Sequence, residues 1–175
     1  MLHMYIDEMV EQTKLLNNQR SHWMGLLARA PIALLEQVLQ SYTHLQHETL
    51  KPYETVAFMV QARTGSSGQR FNMGEVSVGR MILKLQLHDG AINEATSYVG
   101  VAYIKGANER QTYLAALADA LLQTPVHHDS LSKLLLEPIE SWLSQERQAK
   151  QKTVQATQVE FFTVARENNA AQAQG

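Results

Sequence analysis

Val60-Gln61-Ala62-Arg63-Thr64-Gly65-Ser66-Ser67-Gly68-Gln69-Arg70-Phe71-Asn72-Met73-Gly74-Glu75-Val76-Ser77-Val78-Gly79-Arg80-Met81-Ile82-Leu83-Lys84-Leu85-Gln86-Leu87 decides the fold. An apolar strand enters a glycine-punctuated loop bearing two arginines, and a long second strand leaves it. Gly65 and Gly68 let the backbone turn through positive φ, and Ser66 and Ser67 have no bulk for a core. So polar a turn between apolar runs belongs at the surface. Two readings of the loop stand side by side. In one it is a hairpin connection with two solvated arginines. In the other, backbone N–H groups and Arg63 or Arg70 cradle an anion such as phosphate. It is not a Walker loop, because Gln69-Arg70 follows Gly68 where Lys-Ser/Thr is needed. Nor is it a dinucleotide fingerprint, because a strand follows it and not a helix.

Working outward, Tyr53 to Arg63 alternates, with Val56, Phe58, Val60 and Ala62 on one side, as a half-buried strand does. Downstream, Phe71 to Met73 form a brief pairing segment before Gly74. The apolar parity flips across Gly79-Arg80, from Val76 and Val78 to Met81, Leu83, Leu85 and Leu87, which predicts a bulge or bend there. His88-Asp89-Gly90-Ala91 has the Asp-Gly hairpin signal. Ile92 to Lys105 then returns as a strand. Consecutive strands joined by short turns form an antiparallel meander.

Helical spacing brackets this sheet. Ile6, Met9, Val10, Thr13 and Leu16 share a face. Asn17-Asn18 is a soft spot, and Ser21 suits the cap of a fresh start, so one long helix or two short ones reach Arg29. Pro31 suits the first turn of the next helix, whose face is Leu34, Leu35, Val38, Leu39 and Tyr42. Thr43 to Pro52 reads as a loop. Asn108 with Gln111 resembles a capping box. Behind it runs the stripe Leu114, Leu117, Ala118, Leu121 and Leu122, expected to lie on the sheet until Pro125 ends the helix. Ser130 is expected to cap a short helix through Leu131, Leu134 and Leu135, and Pro138 to open another with Ile139, Trp142 and Leu143. Gln145 to Gln158 is polar almost all round, a poor lone helix. An apolar hook follows it, Val159-Glu160-Phe161-Phe162-Thr163-Val164. The expected fold is α+β: an antiparallel β-meander of three to four strands flanked by helices, with N-terminal helices and a C-terminal helical arm ending in that hook. One domain is expected over 1–167, with 1–19 as an extension, 138–167 as helix and hook, and 168–175 as a disordered low-complexity tail.

At 175 residues, 45% hydrophobic and 18% charged, the chain can bury a real core. A formal net charge of -2 without a long basic run argues against nucleic acid as the main partner. No apolar run spans a bilayer and the start lacks a signal-peptide pattern, so no membrane partner and a cytoplasmic location are expected. Cysteine is absent. That removes disulfides, thiolate nucleophiles and Cys-ligated clusters.

Residues suited to chemistry are scattered. His44-x-x-His47 lies in the segment read as a loop, and His127 and His128 are adjacent and diverge, so no metal site is assigned. Glu75, beside the glycine-rich loop, is placed to pair with Arg63, Arg70 or Arg80; the bland alternative is an ion pair at a strand edge. Asp119 is odd in an apolar helix, and a partner arginine or a helix–sheet contact explains it better than catalysis. The helix start after Gly106, next to Lys105, offers free N–H groups, as every helix start does. No catalytic residue is assigned. The phosphate or shared-site candidates are Arg63, Gly65, Gly68, Arg70, Gly74 and Glu75. Val159, Phe161, Phe162 and Val164 are the partner-docking candidates, since the polar stalk gives them nothing to pack against at home.

Four stretches taken together resemble one family. They are Arg20-Ser21-His22-Trp23-Met24-Gly25-Leu26-Leu27-Ala28-Arg29-Ala30, Gln61 to Glu75, Gly106 to Leu121, and Val154 to Arg166. In order and spacing, from about Arg20 to Asn169, the chain resembles the phosphonate carbon–phosphorus lyase system protein PhnG. It departs from that pattern in residues 1–19 and at Tyr113, where family members often have an acidic residue. The resemblance implies a subunit working with PhnH, PhnI and the ATPase-like PhnL. That set makes α-D-ribose 1-methylphosphonate 5-triphosphate from ATP and methylphosphonate, releasing adenine. The resemblance further implies that PhnI is the nucleosidase and that PhnJ is the radical lyase acting later. No cofactor is expected on this chain, and ATP enters as substrate of the complex. A chain without cysteine fits a non-lyase role, and scaffolding of PhnI is the expected contribution. The alternative is that the glycine-rich loop lends residues to the shared site.

Overall fold

The computed structural model describes residues 17–88, 95–106 and 108–172; for 88, 95 and 156–172 it describes the backbone alone. Helix α1 covers 17–27 and α2 covers Ile32–Leu39, followed by a single tight turn at Gln40–Tyr42. Strands β1 (His47–Arg63), β2 (Arg70–His88) and β3 (Ala95–Lys105) come next. Helices α3 (Glu109–Leu122) and α4 (Pro125–Leu131) lead through a widened turn, Ser132–Leu136, into α5 (Glu137–Gln172). The fold is α+β, with one antiparallel sheet in the order β1-β2-β3. The chain divides into two compact units, Met1–Ile139 and Glu140–Gly175.

Helix α3 forms the centre of the first unit. Asn108 caps it, its side-chain oxygen accepting the Gln111 N–H at 2.9 Å. Leu114, Leu117, Leu121 and Leu122 are buried, as are Ala115, Ala116, Ala118 and Ala120 between them. Each fully buried leucine contributes about 2 kcal/mol. The helix lies against β2 and β3. Leu83 and Leu85 of β2 and Ala102 and Ile104 of β3 meet it. Contact is closest at Gly100, where an added Cβ would come within 1.9 Å of the Ala116 carbonyl oxygen. Leu26, Leu27, Leu35, Leu39, Leu131 and Leu135 complete the core.

The sequence reading departs from this structure at several points. The parity flip at Gly79-Arg80 is not a bulge: β2 stays in register there, Gly79 facing Thr55 and Arg80 facing Glu54. Its cause is a change of cover. From Gly79 onward α3 covers the odd-numbered face of β2, so the apolar residues are odd. Before Gly79 they are the even-numbered Val76 and Val78, on the opposite face. The register breaks lie elsewhere: β1 carries the extra residue between Thr49 and Lys51 and between Lys51 and Glu54, and β2 carries it at Met73, opposite the step from Val60 to Gln61. β1 also begins at His47, so much of the segment read as a loop is strand. Pro52 and the charges of Glu48, Lys51 and Glu54 hide it, as suits an outer strand. Ser130 does not cap a helix. α4 starts five residues earlier at Pro125, with the Thr124 hydroxyl accepting the His127 N–H, and Ser130 sits inside it. Helix α1 runs unbroken through Ser21. The proposed Asp89-Gly90 turn and the helical face from Ile6 to Leu16 lie outside the described residues.

Candidate functional site

The glycine-rich loop forms the tip of an arm. β1 and β2 pair along their whole length, from His47 opposite Leu85 to Arg63 opposite Arg70. β3 pairs with β2 only from Gly79 onward. Gly106 adds one more bridge, at Val78, its N–H donating to the Ser77 carbonyl; beyond that the sheet is a two-stranded ribbon about 20 Å long at the usual strand rise. Thr64 to Gln69 close it, and Gly65 takes the left-handed φ of +67° that the turn requires.

Arg63, Gly65, Gly68 and Arg70 gather at this tip. Gly74 and Glu75 lie one register break back, opposite Val60 and Met59. Arg63 stands directly across from Arg70, and no Asp or Glu occurs between Gln61 and Met73. Glu75 does not pair with Arg80 as proposed. Arg80 binds Glu54 across the strands, and Lys51 reaches the same carboxylate at 3.0 Å. Hydrogen bonds from Lys51 and then from Arg80 hold the Glu54 carboxyl below the usual carboxylate range, and Glu54 in turn raises the Arg80 guanidinium.

One face of the ribbon is apolar. Val56 faces Val78, Phe58 faces Val76, and Ala62 faces Phe71. Phe58 meets Tyr103 of β3 edge-on, ring centres 6.3 Å apart, so this is the sheet face opposite α3. Phe58, Val60, Phe71 and Met73 are 39–66% exposed. Sequence reasoning did not foresee this stripe. Part of its signal was present, in the period-two alternation of Val56, Phe58, Val60 and Ala62; which face of the strand would stay uncovered was not.

The other edge of the sheet is closed by a polar cluster. Asp119 is fully buried on α3, yet Arg20 donates to it at 2.7 and 3.2 Å and the Trp23 indole at 2.9 Å. The Val101 N–H on the outer side of β3 donates to it at 2.9 Å. Arg20 and Gln123 both donate to the Val99 carbonyl. Both explanations offered for Asp119, an arginine partner and a helix–sheet contact, hold together. Beside this cluster lies a cleft of about 530 Å³ whose lining includes Arg20, Trp23, Tyr98, Gln123, His128 and Asp129. The histidines pack locally: His128 meets Trp23, His127 meets Tyr42, and His47 meets Tyr113. Burial pushes the Tyr113 phenol up, against the pull of Arg110 beside it. Among the described residues no three His, Asp or Glu side chains come together as a metal site.

Val159, Phe161, Phe162 and Val164 fall within α5, whose backbone continues as helix through them; their side chains lie outside the described residues. Among the described residues no helix is long and apolar enough to cross a membrane.

A family model described as phosphonate metabolism protein PhnG matches residues 18–167. The chain belongs to the PhnG family. A relative from Rhizobium meliloti (strain 1021) is 32% identical over 149 residues, covering 85% of this chain and 89% of the relative. That relative is the α-D-ribose 1-methylphosphonate 5-triphosphate synthase subunit PhnG. The family match begins inside α1, takes in the whole sheet and α3, and ends within α5.

Proposed function

We propose that the chain is a subunit of the synthase that makes α-D-ribose 1-methylphosphonate 5-triphosphate from ATP and methylphosphonate, and that it serves chiefly as a scaffold for PhnI. The observation that supports this reading is the 149-residue likeness to a synthase subunit, spanning most of both chains. In the proposed assembly PhnH, PhnI and PhnL are co-subunits, PhnJ acts later in the same system, and adenine leaves as methylphosphonate is joined to the ribose. The contribution of this chain is surface. Its polar helix α5 and its exposed ribbon are what it offers to neighbours. Pull-down of PhnI by this chain, with and without residues 145–175, tests the scaffold role. Loss of PhnI on deletion supports the arm read from the sequence, and equal retention removes it.

A second reading rests on the arginine pair. Arg63 and Arg70 face one another without a nearby carboxylate in sequence, a placement suited to an anion. In that reading the tip lends phosphate contacts to the shared site. Alanine at Arg63, Arg70 and Glu75 together, assayed in the reconstituted synthase, separates the two. Lost turnover with assembly intact favours a site role, and unchanged turnover excludes it.

A further inference from the structure

We infer that the outer ribbon, Thr55 to Val78, is a docking arm for another synthase subunit, whose surface covers its apolar face and places carboxylates against Arg63 and Arg70. The inference rests on the reading that the chain is a synthase subunit, and it moves the principal contact from the C-terminal helix to the hairpin.

Three observations lead there. First, a two-stranded ribbon is at best marginally stable in water and needs a third layer or strand. This one extends beyond both β3 and α3. Second, its uncovered face is a continuous apolar stripe through Val56, Phe58, Val60 and Phe71, with Phe58 45% and Phe71 48% exposed. Contiguous apolar surface of this kind marks an interaction site. Third, like charges directly across a strand pair repel. Arg63 opposite Arg70 is such a pair, and among the described residues neither has an ion pair. An occupant bringing carboxylates relieves that repulsion.

The charges also favour a different chain over a second copy. Two copies paired along β1 about Met59 would set Arg63 across from Thr55. The nearest carboxylate, Glu54, is already held by Arg80 and Lys51. In that pairing a second copy brings the tip no free acid.

The test is co-expression of the tagged chain with the other synthase subunits. Phe58→Ser with Phe71→Ser, and separately Arg63→Glu with Arg70→Glu, are each expected to lower their retention at least tenfold. Val126→Ser with Leu134→Ser, exposed apolar positions away from the ribbon, is expected to leave it unchanged. Thermal unfolding of each isolated variant checks the fold. Because the chain has no cysteine, Val60→Cys gives a single labelling position. An environment-sensitive dye attached there before mixing is expected to shift to the blue when the purified subunits are added. Full retention by either arm variant, equal loss in the control, or an unshifted dye overturns the inference while leaving subunit membership standing. A wild-type chain that retains none of the subunits overturns both.

Discussion

Asp119 is a carboxylate with no exposed surface, and the sheet edge is built around it. It accepts hydrogen bonds from Arg20, from the Trp23 indole and from the Val101 N–H. Asp119→Ala would leave a buried indole N–H and a strand N–H without acceptors and a guanidinium without its counter-charge. Removing one partner of a buried pair costs about 3–5 kcal/mol. The lower end applies here, because Arg20 is one-third exposed. Urea unfolding of the variant should show a loss of about 3 kcal/mol, and a loss below about 1 kcal/mol would show that the cluster does not hold the edge. Glu54 makes a prediction about pH. Its carboxyl is held below the ordinary range in the folded chain, so its contribution is present above the unfolded pKa and is lost as pH falls through the folded one. Wild type and Glu54→Gln should therefore differ in thermal midpoint at pH 7 and converge in acid, below the carboxylate range. A gap that persists there would contradict the Lys51 and Arg80 pairing.

At the scale of elements, the hairpin divides at Gly79 into a part with a roof and a part without one. Amides of Leu83 and Leu85 lie under α3, whereas those of Ala57 to Val60 depend on a single partner strand. Local opening free energies follow such differences in cover. Hydrogen exchange of the isolated chain should release the Ala57–Val60 amides well before those of Leu83 and Leu85, and uniform protection would contradict the division. Cover also explains what was legible in advance. β2, β3 and α3 could be read because each has a face turned to one core, which imposes period two or the leucine stripe. The first residues of β1 could not, because the outer strand replaces apolar alternation with Pro52 and with ion pairs such as Glu48–Lys84. The apparent bulge at Gly79 was a real signal wrongly attributed, since a switch of apolar face and a slip of register look alike in sequence. The start of α4 was missed because Thr124 and Pro125 read equally well as the end of α3. Asp119 was half legible: a lone acid in an apolar helix demands partners, but only the fold brings Arg20 to it across 99 positions.

For the whole molecule, an exposed apolar stripe meets a formal net charge of only -2, which gives little mutual repulsion. The isolated chain should therefore scatter more light as its concentration rises. Phe58→Ser with Phe71→Ser should move that onset to higher concentration, and an unmoved onset would place the liability elsewhere. The tip residues named from sequence do gather in space. What sequence could not supply was the length of bare ribbon behind them, because bareness is a property of what fails to pack nearby. The two borders of the sheet differ in one further way. Along β3, Arg20, Gln123 and Asp119 have taken up the outward-facing backbone at Val99 and Val101, whereas β1 keeps a stretch from Thr55 to Ala62 free of proline and charge. A neighbouring strand therefore meets fewer obstacles along β1 than beside Val99 and Val101. A partner's sheet has an open seam to continue at β1, while the far margin is already stoppered at Val99 and Val101.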